Sequence, residues 1–409
     1  MRACRLHVLL ITVAALALPG LATATPPASA GPAATLRDAI QGAWLRSVPA
    51  RTLEARRGEV DAARSTARSW VAGAPVLGLS QRADRWTDKG DKRESEISLA
   101  APIWRPGQKS ARQALAARST EELSAQILQA RLAVAGEVRT LVWEAAAAQE
   151  TLSEQKDHLH HLEQLAAAVQ RRVKAGELAR SDGLLAQQEV LATQIAITLA
   201  STKASEALQR FRVLTGLAAL PALEPEPLPD MAAPVNVRLN AAHASERRAQ
   251  AALQLAEATR SAPPSVGVSF RHEQEGDLIG PSRSIGIALQ IPLGSKARNR
   301  PAEALAQTQV ATAAAEAAHA QASVEADMAL AQEQLVNART ALEAASARAA
   351  ALREHTALIE KAFGQGERGL AEVLRSRVVS HEAYVAVRQQ RIALGMAHAK
   401  LNQVRGILP

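Results

Sequence analysis

Three short landmarks occur twice in the chain, in the same order and at almost the same spacing. The second copy follows the first by 189 residues at one landmark and by 190 at the other two. The pairs centre on Pro75 and Pro264, on Pro102 and Pro292, and on Gly176 and Gly366. Chance seldom preserves both order and spacing, so the chain is an internal duplication. Its fold must therefore be built from two similar units.

A proline-rich stretch separates the two copies. Five prolines lie between residues 221 and 234, where they prevent a regular helix. We therefore predict a first repeat over residues 31–220, a linker over 221–235 and a second repeat over 236–409.

Each repeat changes its hydrophobic periodicity twice, from helical spacing to strict alternation and back. The alternating parts predict two β-hairpins, with strands at about 76–83 and 95–104, and at about 265–273 and 283–292. The other parts predict six helices, at about 36–73, 108–174, 181–215, 236–261, 296–363 and 369–404. The turns between the last two helices of each repeat are expected at about 174–182 and 363–372.

The composition favours long, closely packed helices. Apolar residues make up 47% of the chain, but aromatic residues only 2%. Large side chains dominate the energetics of globular cores, so a conventional globular enzyme is excluded as the leading interpretation. The net charge of +8 comes from basic and acidic residues mixed along the whole chain, which indicates a solvated helix surface and no nucleic-acid partner. The sequence contains no catalytic motif, and we expect neither enzymatic activity nor a cofactor.

The N-terminus has the pattern of a cleaved secretory signal. Arg2 and Arg5 precede an apolar run over residues 8–18, and an A-x-A site ends at Ala24. A second A-x-A site gives Ala30 as the alternative end. The only cysteine, Cys4, lies in this segment, so the mature chain would have no disulfide and no thiol site. A secreted chain of this kind is periplasmic, extracellular or in the outer membrane.

The alternating strands carry apolar residues on one face and small or polar residues on the other. This pattern is typical of transmembrane β-barrels, in which strands of about 9 to 11 residues cross the membrane. Four strands cannot close such a barrel, and open edges in lipid leave backbone groups unpaired. We therefore predict a mainly α fold with a small β part. Three copies would form a trimeric α-helical barrel continuous with a 12-stranded transmembrane β-barrel. Two amphipathic hairpins on a soluble helical protein are the alternative.

The element order, the duplication and the hairpin-to-helix junctions resemble the TolC family of trimeric outer-membrane efflux channels. The most specific motifs are the two helical turns, Val173–Asp182 and Phe363–Leu374, which match the family's periplasmic tips. The resemblance covers nearly all of the mature chain. It implies a homotrimeric duct in outer-membrane lipid with a long periplasmic extension. The implied partners are a periplasmic adaptor (membrane fusion) protein and an inner-membrane RND-type pump.

The resemblance also assigns roles to residues at these turns. In the family, salt bridges and hydrogen bonds near the tips hold the periplasmic entrance shut. Asp182, Arg368 and Glu372 are the matching gate candidates, and Arg375 stands where the family often carries a second acid. Gly176 and Gly366 suit tight turns for adaptor docking, because glycine tolerates positive φ and close approach.

The substrate class is the least constrained prediction. Residues 291–301 resemble the exit of the second hairpin in the branch that serves heavy-metal cation pumps, the CzcC/CusC type. His158 and His161 share a helix face, but two imidazoles do not complete a metal site. Metal-ion efflux is favoured, and multidrug efflux and type I protein secretion are the alternatives within the family. A periplasmic adaptor or a coiled-coil scaffold is the alternative of another class.

Overall fold

The computed structural model describes residues 34–83, 92–229, 236–275, 279–294 and 296–409. The predicted signal segment, residues 1–24 or 1–30, lies outside the described residues. In chain order the elements are α1 (Leu36–Arg46), α2 (Val48–Arg68), β1 (Val76–Ala83), β2 (Lys92–Pro102), α3 (Gln108–Lys174), α4 (Arg180–Thr215), α5 (Val237–Ala258), β3 (Ser265–Glu275), β4 (Ile279–Gln290), α6 (Lys296–Gly364) and α7 (Leu370–Arg405).

The first predicted helix, over 36–73, is wrong in its continuity. The helix is interrupted at Ser47, between α1 and α2. The hydroxyl of Ser47 accepts a hydrogen bond from the backbone N–H of Ala50 (3.3 Å) and so caps α2. Pro49 is the physical reason for the break. In a continuous helix its ring would clash with the carbonyl of Leu45, whereas in the first turn of a helix it is well tolerated.

The four strands form one antiparallel sheet in the order β1-β2-β3-β4, as expected for two hairpins from two repeats. The central pair, β2 with β3, joins the first repeat to the second. Strands β2 and β4 begin three and four residues earlier than the alternation indicated, at Lys92 and Ile279. The mainly helical fold with a small β part is thus confirmed.

The register of the sheet brings like residues together on each face. One face carries two complete apolar rows, each with one residue from every strand: Leu79–Ile97–Phe270–Ile285 and Leu77–Leu99–Val268–Ile287. All eight side chains are exposed, up to 81% for Ile287. The opposite face carries rows of small or polar residues, such as Gly78–Ser98–Ser269–Gly286. Alternation in the sequence thus predicts both faces correctly.

Long helices make up the rest of the described chain. α3 has 67 residues and α6 has 69, and a helix of this size is about 100 Å long. α3 packs along α4, and α6 along α7, while α3 also contacts α7 and so connects the two helical pairs. The buried positions are largely alanine, and in α5 all of them are, which permits close approach of the helices. No helix in the described ranges is both long and apolar enough to cross a membrane.

An acidic residue, Glu226, helps to hold the described part of the linker, residues 221–229, against the helices. The carboxylate oxygens of Glu226 accept hydrogen bonds from Arg139 of α3 at 2.7 and 2.6 Å. Arg139 is 3% exposed, and it also donates to the side chain of Gln403 and to the carbonyl of Ile407. This buried pair therefore connects the linker to both repeats.

Candidate functional site

The two helical turns have the same backbone geometry. After α3, the N–H of Glu177 donates to the carbonyl of Arg172 (2.9 Å), and that of Gly176 donates to Val173 (3.1 Å). After α6, the equivalent bonds run from Glu367 to Ala362 (3.0 Å) and from Gly366 to Phe363 (3.1 Å). Gly176 and Gly366 both have φ of +80°. This is the Schellman arrangement, in which a left-handed glycine ends the helix.

Three of the four predicted gate charges have a local partner within the chain. Asp182, in the first turn of α4, accepts a hydrogen bond from the backbone N–H of Ala179 (3.2 Å) and so caps its own helix. Arg368 pairs with Glu372 one helical turn further along, at 3.0 Å. Arg375 is exposed and forms no ion pair with another residue in the described part of the chain. The structure thus joins Arg368 to Glu372 but joins neither to Asp182.

The two turns are connected by a contact that sequence reasoning did not identify. The guanidinium of Arg172 lies over the ring of Phe363, 5.0 Å from its centroid, and also pairs with Glu177 at 3.1 Å. Beneath them lies a common apolar cluster of α3, α4 and α7, formed by Leu162, Val169, Ala186, Leu370 and Leu374. One signal for this contact was present in the sequence, because Arg172 and Phe363 each lie in the last helical turn before a glycine.

The sequence places His158 and His161 on one face of α3, but in the structure His158 pairs with a histidine of another helix. The ring of His158 stacks on that of His381 of α7, with centroids 3.8 Å apart and planes at 12°. Burial, followed by the nearby His381, His161 and Arg377, lowers the pKa of His158 from 6.5 to about 4. No group of three or more His, Cys, Asp or Glu side chains in the described ranges could hold a metal ion.

A second ionisable group lies further along the contact between α3 and α7. Arg388 is 2.7 Å from the carboxylate of Glu154 and also contacts Glu150. Glu154 is almost completely buried, and burial raises its pKa, although Arg388 acts in the opposite direction. Sequence periodicity did not identify this group either, because it depends on which residues of two distant helices lie opposite each other.

Comparisons with known proteins agree with this architecture. Residues 49–217 match the family model of the outer membrane efflux protein family. Comparison with curated protein sequences gives no match. Among solved structures, the outer membrane channel CmeC of Campylobacter jejuni matches with 12% identity and a TM-score of 0.71, over 91% of this chain and 85% of that one.

Two further structures are similar to the same extent. The outer membrane protein VceC of Vibrio cholerae has 14% identity and a TM-score of 0.70, with 91% of this chain and 96% of that chain covered. CusC, described as forming a transmembrane channel, has 15% identity and a TM-score of 0.71, with 91% and 92% covered. These matches confirm the resemblance to TolC-like outer membrane efflux proteins, which are transport channels and not enzymes.

Proposed function

We propose that the protein is the outer-membrane exit duct of a tripartite efflux system and works as a homotrimer. The observation that carries the proposal is the sheet, which exposes complete apolar rows on one face and small or polar rows on the other. An exposed apolar surface of this extent needs an apolar environment, and the lipid of the outer membrane provides one.

The dimensions of the apolar face suit a membrane. Apolar residues at alternate positions from Ile285 to Ile291 span about 20 Å, close to the apolar band of about 25 Å in outer-membrane barrels. A polar row, Gln81–Ser95–His272–Arg283, bounds this face toward the hairpin loops.

The opposite face suits a water-filled lumen. Arg271 lies at 3.0 Å from Glu94, 2.9 Å from Glu96 and 3.5 Å from Glu273. Such a charged cluster would be costly in lipid but is readily solvated inside a channel.

Closure of the sheet requires further copies of the chain. Within the described residues, the outer edges of β1 and β4 pair with no other strand. Three copies with four strands each would give a closed barrel of twelve strands without edges. A stripe on α4 supports contact between copies, since Leu184, Leu191, Ile195 and Leu199 follow helical spacing and are all more than half exposed.

Assembly is the first point to test. The protein should fractionate with outer membranes, have the mass of three chains in detergent, and form conducting pores in planar bilayers. N-terminal sequencing of the mature protein would test cleavage after residue 24 or 30. A monomer confined to the periplasmic fraction would instead favour the adaptor or scaffold alternatives.

At the periplasmic end we propose that the two turns dock the adaptor and that the charges beside them close the entrance between copies. A Cβ atom placed on Gly176 or Gly366 would have no neighbouring atom within 4 Å, so the turns leave open space for a partner. Asp182, Arg368, Glu372 and Arg375 are the gate residues in this proposal. The local pair of Arg368 with Glu372 contributes little to stability, about 0.5 kcal/mol for an exposed pair one helical turn apart.

Single-channel conductance tests the gate. Arg368→Ser should raise the resting conductance, because it removes a cation from the entrance, whereas Arg171→Ser, at an exposed position in the last helical turn of α3, should not. An unchanged closed state in Arg368→Ser would remove Arg368 from the gate.

For the substrate we propose heavy-metal cations delivered by an RND-type pump, on the basis of the resemblance in residues 291–301. A deletion strain should then lose growth on zinc, cobalt or copper gradients and regain it with the intact gene. Sensitivity to drugs alone would favour multidrug efflux, and loss of a secreted protein alone would favour type I secretion.

A further inference from the structure

The contact between α3 and α7 changes character along its length. Toward the linker, the ring of Trp143 packs over Gly395, and toward the turns, Leu162 and Val169 pack with Leu370 and Leu374. Between these apolar contacts, ionisable and polar side chains face each other: Glu150, Glu154 and His158 on α3, and His381, Tyr384 and Arg388 on α7. We call this segment the ionisable seam. Because α3 belongs to one helical pair and α7 to the other, the seam connects the two pairs.

The stacking of the two rings at the centre of the seam favours the neutral form of both. With centroids 3.8 Å apart and nearly parallel planes, His158 and His381 pack well as neutral rings. Two imidazolium ions in the same positions would repel each other. The Nε2 atom of His381 is buried and has no hydrogen-bond partner among the described residues, so a proton there would also lack an acceptor.

The surrounding charges do not offset this penalty. On α3, His161 lowers the pKa of both histidines, and on α7, Arg377 lowers that of His158. On α6, Arg353 and Glu360 line the adjoining cavity, but Glu360 is already paired with Arg377 at 2.5 Å.

The acidic residues near the seam do little to offset the cost of protonating the histidine pair. Glu382 raises the pKa of His381, yet burial outweighs it and the net direction is downward. Glu154 has a raised pKa through burial, and Asp157 and Glu150 add to that effect. Tyr384 accepts a hydrogen bond from Arg388.

Protons can reach the pair without unfolding of the helices. A cavity of about 360 Å³ adjoins both rings and is lined by hydroxyl groups of Thr356 and Ser380 as well as by the charged residues named above. Water in this cavity could exchange protons with either ring while α3 and α7 remain packed.

We propose that the ionisable seam is a proton-operated latch, in which protonation of the stacked His158–His381 pair loosens the α3/α4 helical pair from the α6/α7 pair. The latch belongs to the packing of one chain and does not depend on the proposed efflux function. If the protein is an exit duct, the latch lies between the Trp143–Gly395 contact and the apolar cluster beside the turns at its periplasmic entrance, and acid would favour the loosened form.

The direction of the pH effect and the pH range in which it occurs follow from the linkage between proton binding and helix packing. The packed form holds the histidines neutral, so protons bind more strongly to the loosened form, in which the rings are solvated. The population of the packed form is therefore unaffected above pH 7 and decreases as the pH falls from about 6.5 toward 4. If the pKa of His158 is about 4 in the packed form and 6.5 in the loosened form, the equilibrium constant for loosening rises about thirtyfold by pH 5. Solvent screening of these half-buried rings reduces the expected rise to about tenfold.

Thiol protection in the full-length protein measures rare opening of the seam. In a Cys4→Ser background, Leu162→Cys introduces a thiol at a position that is 4% exposed and next to His161. Glu163→Cys, at an exposed neighbouring position, supplies the intrinsic labelling rate at each pH. The ratio of the two rates should rise about tenfold from pH 7.5 to pH 5.

Matched variants connect the change to the histidine pair. The rise should persist in His160→Asn, which alters an exposed histidine of the same helix, and should fall below about twofold in His158→Asn/His381→Asn. An equal rise in the double variant, or a flat ratio in the parent, would overturn the proposal.

A second measurement needs no buried substitution. Histidine ring resonances, assigned with His158→Asn and His381→Asn, should titrate near pH 4 for His158 and below the ordinary value of 6.5 for His381. Titration of His158 and His381 near 6.5 would equally overturn the proposal.

Discussion

The guanidinium of Arg172 lies 5.0 Å from the centroid of the Phe363 ring, so the last turn of α3 is in contact with the last turn of α6. The two residues come from different repeats, and each precedes the glycine that ends its helix. This cation–π contact therefore connects the two turns within one chain, whereas Asp182, Arg368 and Glu372 each find a partner in their own helix or turn.

Removing this contact should reveal a measurable coupling between the turns. In a double-mutant cycle of Arg172→Ala and Phe363→Leu, we expect a coupling of about 0.5–1 kcal/mol in the free energy of unfolding. The same cycle with Arg171→Ala should give a coupling near zero, because Arg171 is exposed and has no ring partner in the described structure. Equal couplings in the two cycles would mean that Arg172 does not act through Phe363.

The linker should prove to be an integral part of the structure. Glu226→Ala leaves the charge of Arg139 buried without its carboxylate, which typically costs about 3–5 kcal/mol. Glu224→Ala, two residues earlier and exposed, should change the stability by less than about 0.5 kcal/mol. Denaturant unfolding followed by circular dichroism measures both variants. Similar losses in the two would contradict a specific role for the Arg139–Glu226 pair.

Close packing between the helical pairs can be tested at a glycine. A Cβ atom added at Gly395 would lie 2.1 Å from the ring of Trp143, so Gly395→Ala should destabilise the protein by about 1–3 kcal/mol. Gly58→Ala is the matched control. Nothing lies within 4 Å of its Cβ position in α2, and the substitution should stabilise by about 0.5–1 kcal/mol.

A compensating change distinguishes packing from helix propensity. If the clash with Trp143 causes the loss, Trp143→Leu should cost less in the Gly395→Ala protein than in the parent. Independent, additive effects of the two substitutions would contradict this account.

Local patterns predicted the elements that depend on local geometry. Alternation identified the hairpins and their faces, since a strand has a period of two, and the glycines indicated turns with positive φ at Gly176 and Gly366. The helix break at Ser47 was missed, although Pro49 was a visible signal for it.

The contacts between helices were not predictable in the same way. Helical periodicity indicates which face of α3 is buried, but not which residue of α7 lies opposite a given position. The His158–His381 stack and the contact of Trp143 with Gly395 therefore appear only when the register of the two helices is known.

Arg388 should be the residue that permits a carboxylate in the buried seam. Arg388→Ala leaves Glu154 without its nearest cation, and we expect a loss of about 3–5 kcal/mol in the free energy of unfolding at pH 7.5. The loss should be smaller at pH 5. Burial raises the pKa of Glu154, so the stability associated with its neutral form is present at low pH and is lost as the pH rises.

Two matched variants complete this last test. Arg391→Ala removes an exposed arginine of the same helix and should have little effect at either pH. Glu154→Gln in the Arg388→Ala protein should remove the difference between pH 5 and pH 7.5, because the amide carries no charge at either pH. Denaturant unfolding at the two pH values measures all of these variants. A loss of equal size at both pH values would show that Arg388 stabilises the seam by packing and not by neutralising Glu154.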